Sequence, residues 1–223
     1  MNPRNIARVL GASAVAMTAT LIGQPLPSAS AEPCPDVETV FARGTFEAPG
    51  VGELGQEFVD ALRTKVAPKS VGVYAVNYPA STDFATGVDG IRDATAHIQS
   101  MAANCPKTKM VLGGYSQGAA VMGFTTADAV PAGIVPSEVP APMPPKVADH
   151  VAAVALFGKP SSQFMRTVGQ PPVAIGPLYS SKVIELCTPN DLVCSDGGEW
   201  AAHGLYQEDG MVGQAATFVA GKL

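Results

Sequence analysis

The sequence predicts an α/β layered domain built on parallel strands. Short apolar runs alternate with segments whose apolar residues recur at helical spacing. The runs are apolar at consecutive positions, as strands are when helices cover both faces of a sheet. A composition of 47% hydrophobic and 15% charged residues over 223 positions suits one domain with a full core and excludes disorder as the main state.

Residues 1–31 stand apart from this rhythm. Arg4 and Arg8 precede a mostly apolar stretch from Val9 to Gly23, and Ala29-Ser30-Ala31 supplies a small-x-small cleavage pattern. The reading is a secretory signal peptide, with the folded domain at 32–223 and a secreted, extracellular product. The apolar stretch is shorter than the roughly 20 residues of a membrane span.

The domain opens with a buried strand at Val37 to Ala42, turned by Arg43-Gly44-Thr45. Leu54, Phe58, Leu62 and Val66 then recur at fours and mark a helix face. A second strand is expected at Val71 to Val76. Ile91, Ala94, Ile98 and Met101 mark the next helix, which stops at Asn104 and Pro106. Lys109 to Gly113 reads as a strand and the chain from Ser116 as a helix. Two more strands follow at Val151 to Leu156 and Lys182 to Leu186, and Gln214 to Val219 closes the domain as a helix. Residues 127–145 break the pattern with Pro131, Pro136, Pro140, Pro142, Pro144 and Pro145. They form a stiff extended loop, either a surface insertion or a wall over a binding cleft.

The net charge is −5 and no basic run occurs, which argues against a nucleic-acid partner. The four cysteines, Cys34, Cys105, Cys187 and Cys194, are an even number, as suits an oxidising compartment. Three pairings are possible. Cys34–Cys105 with Cys187–Cys194 is favoured, because Cys187 and Cys194 lie only seven positions apart and can staple one local loop. Neither a C-x-x-C nor an H-x-x-x-H spacing occurs, so no metal is expected.

The chemistry centres on Gly114-Tyr115-Ser116-Gln117-Gly118, a G-x-S-x-G string between an apolar strand and a helix. That context is the nucleophile elbow. A serine on so tight a turn needs small neighbours, and the turn aims the Gln117 backbone N–H at the place where an oxyanion would form. Three histidines are available as the base. His97 falls within a helix, and His150 precedes its strand, at the amino edge of a parallel sheet. His203 follows the last strand, at the carboxyl edge where such sheets bind ligands, and is the candidate. The carboxylate is sought between serine and histidine, among Glu185, Asp191, Asp196 and Glu199. Glu185 is expected to point into a layer of the fold. Asp191 lies in a loop that Pro189 and a cysteine pair would hold rigid, as the group that orients an imidazole requires. Leu192, Val193 and Leu205 beside this loop suit an acyl chain.

Phe41-Ala42-Arg43-Gly44-Thr45, the Gly-Tyr-Ser-Gln-Gly elbow, the Cys-x-x-x-Asp-x-x-Cys loop and the later histidine together resemble the cutinases, in particular the secreted cutinase-like esterases of mycobacteria. The resemblance implies a small α/β-hydrolase with a five-stranded, mostly parallel central sheet and no large cap domain. It supports the same cysteine pairing. It also implies an oxyanion hole completed by Thr45, where fungal members carry serine. The insert at 127–145 is absent from the fungal pattern. The expected function is a serine esterase acting on cutin-like, lipid or short acyl esters through Ser116, Asp191 and His203, without cofactor and as a monomer. The same triad also serves an acyltransferase or a hydrolase of envelope glycolipids. A secreted antigen or binding protein on a hydrolase scaffold has no need of all three residues.

Overall fold

The computed structural model describes residues 34–223, so the signal-peptide reading of 1–31 falls outside the described residues. Five strands, β1 (Val37–Ala42), β2 (Val71–Ala75), β3 (Lys109–Tyr115), β4 (Val151–Phe157) and β5 (Val183–Leu186), form one sheet in the order β2-β1-β3-β4-β5. All four neighbouring pairs are parallel. The helices are α1 (Gly52–Val66), α2 (Gly87–Asn104), α3 (Gln117–Thr125), α4 (Ser162–Thr167) and α5 (Met211–Ala220).

Alternation along the strands builds two cores. Val40, Ala42, Leu112, Val154 and Leu156 pack beneath α2 and α3. Phe41, Val111, Ala155 and Phe157 face the other way, against Phe58 and Leu62 of α1 and Val212 and Ala216 of α5. The central strands β3 and β4 are apolar on both faces because both faces are covered.

The differences from the sequence reading have local causes. β3 continues through Gly113 and Gly114 to Tyr115, paired with Ala155, Leu156 and Phe157 of β4. A Cβ on Gly113 would lie 2.5 Å from the Phe41 ring, so this glycine makes room within a strand rather than ending one. α4 spans only six residues, too few for periodicity to mark it. Glu185 does not point into a layer. β5 is an edge strand, and its Glu185 is exposed and paired with Lys159 at 2.8 Å.

Both expected disulfides are present. Cys34–Cys105 ties the chain before β1 to the end of α2, and Cys187–Cys194 closes the loop after β5. Residues 127–145 hold neither α-helix nor strand up to the 3-10 turn that begins at Pro145. The Arg92 side chain of α2 donates to the carbonyl of Glu138 and pins the insert over that helix.

Candidate active site

A parallel sheet delivers the carboxyl ends of all its strands to one edge. β1 runs into Arg43, β3 into Ser116, β4 into Gly158 and β5 into the Cys187–Cys194 loop. Ser116 has φ +56°, a left-handed conformation that costs a non-glycine residue on the order of 1–3 kcal/mol. The turn is held by the Ser116 N–H, which donates to the Phe157 carbonyl at 2.8 Å. A Cβ on Gly118 would lie 2.0 Å from the Ala42 carbonyl oxygen, and one on Gly114 would lie 2.3 Å from that of Gly118. Both glycines of the G-x-S-x-G string are therefore fixed by backbone contact. Gln117 opens α3, so its N–H has no acceptor within the helix.

His203 lies in a short 3-10 turn, Trp200–Gly204. Its Nε2 is 2.8 Å from Ser116 Oγ and its Nδ1 is 2.7 Å from Asp191 Oδ2. The Tyr115 ring stacks on the imidazole at 5.0 Å between centroids, and its hydroxyl donates to the His203 carbonyl at 2.6 Å. Ring and backbone are thus held separately. With Nδ1 donating to the carboxylate, Nε2 is left to accept the serine proton.

Asp191 is fully buried. Burial alone would raise its carboxyl pKa, but hydrogen bonds from His203, Tyr206 and the Val193 N–H together hold it below the ordinary value. The Val193 N–H donates to Oδ1 at 2.8 Å, and the Tyr206 hydroxyl donates to Oδ2. Asn190, at φ +63°, lets the chain turn into this position. A Cβ on Gly158 would come 2.8 Å from the Tyr206 hydroxyl and 3.0 Å from His203 Cε1, so the chain leaving β4 passes close behind the site.

Ser116, His203 and Asp191 are thus brought together, and Thr45 and Gln117 with them. Thr45 Oγ1 lies 3.5 Å from Gln117 Oε1, and Gln117 Nε2 donates to the Ser81 carbonyl at 2.9 Å. Arg43 anchors the loop. Its guanidinium donates to the Glu47 carbonyl at 2.9 Å and to the Tyr78 carbonyl at 2.6 Å. Glu47 accepts from the Gly44 N–H at 2.5 Å and the Glu53 N–H at 2.9 Å. Asp196 and Glu199 are exposed and outside this line of contacts. His97 is 2.5 Å from Glu38 and stacks on Tyr74, and His150 ends the 3-10 turn before β4, at the opposite edge.

Sequence reasoning missed Tyr206, Tyr115 and the Arg43–Glu47 clamp. The signal for Tyr206 was its place three residues after His203, one helical turn on. Val193 is buried with its N–H committed to Asp191, whereas Leu192 and Leu205 are half-buried. An apolar pocket of about 90 Å³ lies between α2, α3 and the insert, and Gln117 forms part of its wall.

The family model described as Cutinase matches residues 33–223. The chain belongs to the cutinase family. A Mycobacterium tuberculosis relative, named "Probable carboxylesterase Culp5", is 61% identical over 172 residues, covering 77% of this chain and 98% of the relative. Carboxylesterase Culp1 of Mycobacterium bovis is 50% identical over 228 residues, covering 100% of this chain and 98% of the relative. Among solved structures, a Trichoderma reesei cutinase in complex with a phosphonate inhibitor matches with a TM-score of 0.65 at 34% identity, covering 85% of this chain and 77% of that one. This cutinase is a carboxylic ester hydrolase on a small α/β-hydrolase fold.

Proposed function

We propose that this cutinase hydrolyses uncharged acyl esters through an acyl-enzyme on Ser116. His203 Nε2 takes the hydroxyl proton as Ser116 Oγ bonds to the ester carbonyl carbon. The carbonyl π pair moves onto oxygen, where the backbone N–H groups of Gln117 and Thr45 receive it. The tetrahedral adduct collapses, the ester C–O bond breaks, and His203 gives its proton to the departing alcohol. A water then loses a proton to His203 and attacks the acyl carbon, releasing the acid and restoring Ser116. Asp191 stays ionised throughout, fixes the imidazole tautomer and stabilises the imidazolium. The cycle consumes ester and water alone.

The observation that carries this reading is the unbroken line Asp191 Oδ2–His203 Nδ1, His203 Nε2–Ser116 Oγ, at 2.7 and 2.8 Å. The left-handed backbone at Ser116 adds to it, since such strain persists where the surroundings enforce it. Two disulfides support an enzyme that works outside the cell, in an oxidising compartment. Among the described residues no helix is long and apolar enough to cross a membrane.

Replacing Ser116 by Ala should lower turnover on a para-nitrophenyl ester at least about a thousandfold with the melting temperature held. A phosphonate ester should label the parent at Ser116 and leave the variant unlabelled. A variant that keeps a tenth of the parent rate removes Ser116 from the nucleophile's role.

A further inference from the structure

Tyr115 makes and breaks no bond in the acyl-enzyme cycle, yet its ring meets the supports of all three parts of the site. It ends β3, one residue before Ser116. Its face stacks on the His203 imidazole, with 5.0 Å between centroids and 24° between planes. It meets Tyr206, which holds Asp191, in a T-shaped contact at 5.7 Å. On the loop that leads to Thr45 it packs on Gly44, where a Cβ would lie 2.7 Å from Tyr115 Cδ1 and 3.0 Å from Cε1.

The ring is held in this place from its far end. Its hydroxyl donates to the His203 carbonyl at 2.6 Å, and burial, with Glu47 and Asp191 nearby, holds the proton well above the ordinary tyrosine range. Swinging the ring away would break that bond. The loop side is fixed as well, because the Gly44 N–H donates to Glu47 Oε2 at 2.5 Å. The chemistry gives the stack a consequence. His203 carries a proton in the transition states of both half-reactions, and an aromatic face within about 6 Å attracts a cation more than a neutral ring. The stack thus favours the transition state over the ground state, the difference that raises kcat.

We infer that Tyr115 is a positioning residue that sets the His203 imidazole against the oxyanion loop, and that residue 44 is glycine to seat its ring. The inference rests on the acyl-enzyme reading above, since Tyr115 acts through His203. A methyl group at position 44 falls well inside the roughly 3.5 Å at which carbon atoms meet comfortably. The ring must then retreat, and its remaining contacts pass the movement to His203 and Tyr206.

The test measures kcat and KM on para-nitrophenyl acetate for Tyr115→Leu, Tyr115→Phe, Gly44→Ala and the double variant Gly44→Ala/Tyr115→Leu. Circular dichroism checks each fold, and rates are read well below each melting point. Tyr115→Leu should lower kcat at least about thirtyfold, from the lost stack and a misplaced imidazole together. KM should stay within about threefold, because both half-reactions pass a proton through His203 and slow alike. Tyr115→Phe keeps the ring and should recover at least about tenfold of that loss. Gly44→Ala should lower kcat about tenfold, for a displacement of less than about 1 Å. An alanine Cβ would also lie 3.2 Å from Glu47 Oε2, and the double variant separates the two contacts. Leucine can yield to the new methyl group, so the double variant should match Tyr115→Leu within about threefold. If Tyr115→Leu does not fold, Tyr115→Met takes its place in both variants. A kcat in Tyr115→Leu within threefold of the parent, or a Tyr115→Phe no faster than Tyr115→Leu, overturns the positioning role of the ring. Single losses that multiply in the double variant overturn the seat at Gly44. Failure of a phosphonate ester to label the parent at Ser116 is a separate result, which overturns the acyl-enzyme reading instead.

Discussion

Asp191 has no exposed surface, and a carboxylate in such a place stays charged only while its hydrogen bonds outweigh the loss of water. Tyr206 is one of the three groups that hold it there. Its own proton is held well above the ordinary tyrosine range, first by burial and then by the bond to Asp191, so it remains a donor at every working pH. The sign of the linkage follows from the direction of the Asp191 shift. A carboxyl held below its unfolded value of about 3.9 stabilises the fold fully above that pH, and the contribution is lost as pH falls through the lower folded value. Replacing Tyr206 by Phe removes one lowering contact and returns Asp191 toward the unfolded value. The melting temperature of Tyr206→Phe should therefore trail the parent's most at neutral pH, and the gap should narrow as the pH drops below about 4. Melting curves from pH 7 to pH 3 decide it, and a gap independent of pH means that Tyr206 acts by packing alone. At this scale the sequence disclosed the residues proposed to react but not those that hold them. Ser116, Asp191 and His203 have functional signatures of order and spacing, whereas Tyr206 and Arg43 act through contacts that only the closed fold creates.

Among the elements, the two disulfides divide labour. The chain-entropy model assigns the Cys34–Cys105 ring about 4.4 kcal/mol and the much smaller Cys187–Cys194 ring about 2.5 kcal/mol. The smaller ring encloses Asp191, and its far side carries the Val193 N–H that holds Oδ1. The larger one joins the chain before β1 to the end of α2, at the sheet edge away from Ser116. Replacing Cys187 and Cys194 by Ser should lower turnover on the order of a hundredfold, the cost of a misplacement of about 1 Å, with the smaller fall in melting temperature. Replacing Cys34 and Cys105 should do the reverse. A 187/194 variant that melts below the 34/105 variant yet turns over normally would show a purely structural bridge. The elements most legible in the sequence were those whose faces are fully buried, because burial on both sides writes a continuous apolar run. β5 misled at Glu185 since an edge strand leaves one margin to solvent. The course of the insert was not legible at all, because a proline-rich segment carries no periodicity to read.

Across the whole molecule, the sheet separates two tasks. Every chemical feature of the proposed active site rises from its carboxyl edge, and an apolar pocket lies against α2 and α3, on one face. The opposite face is filled by α1 and α5 around a cluster of aromatic rings, with Phe58 lying 6.1 Å from Phe41 and 5.7 Å from Phe157. Phe58 is fully buried and reaches neither Ser116 nor the pocket wall. Truncating it leaves a cavity in a well-packed core, for which the cost is about 3–5 kcal/mol, a large part of the roughly 5–15 kcal/mol that holds a domain folded. The intervening sheet is tied by parallel ladders on both sides of β3 and has little freedom to pass that loss on. Phe58→Ala should therefore melt far below the parent while keeping, well below its melting point, the parent's ratio of rates on para-nitrophenyl octanoate and para-nitrophenyl acetate. Calorimetry and the two-ester assay on Phe58→Ala measure this separation directly. A changed ratio in Phe58→Ala would mean that the faces are coupled through the sheet, with the helix that carries Gln117 shifting when the far core is emptied.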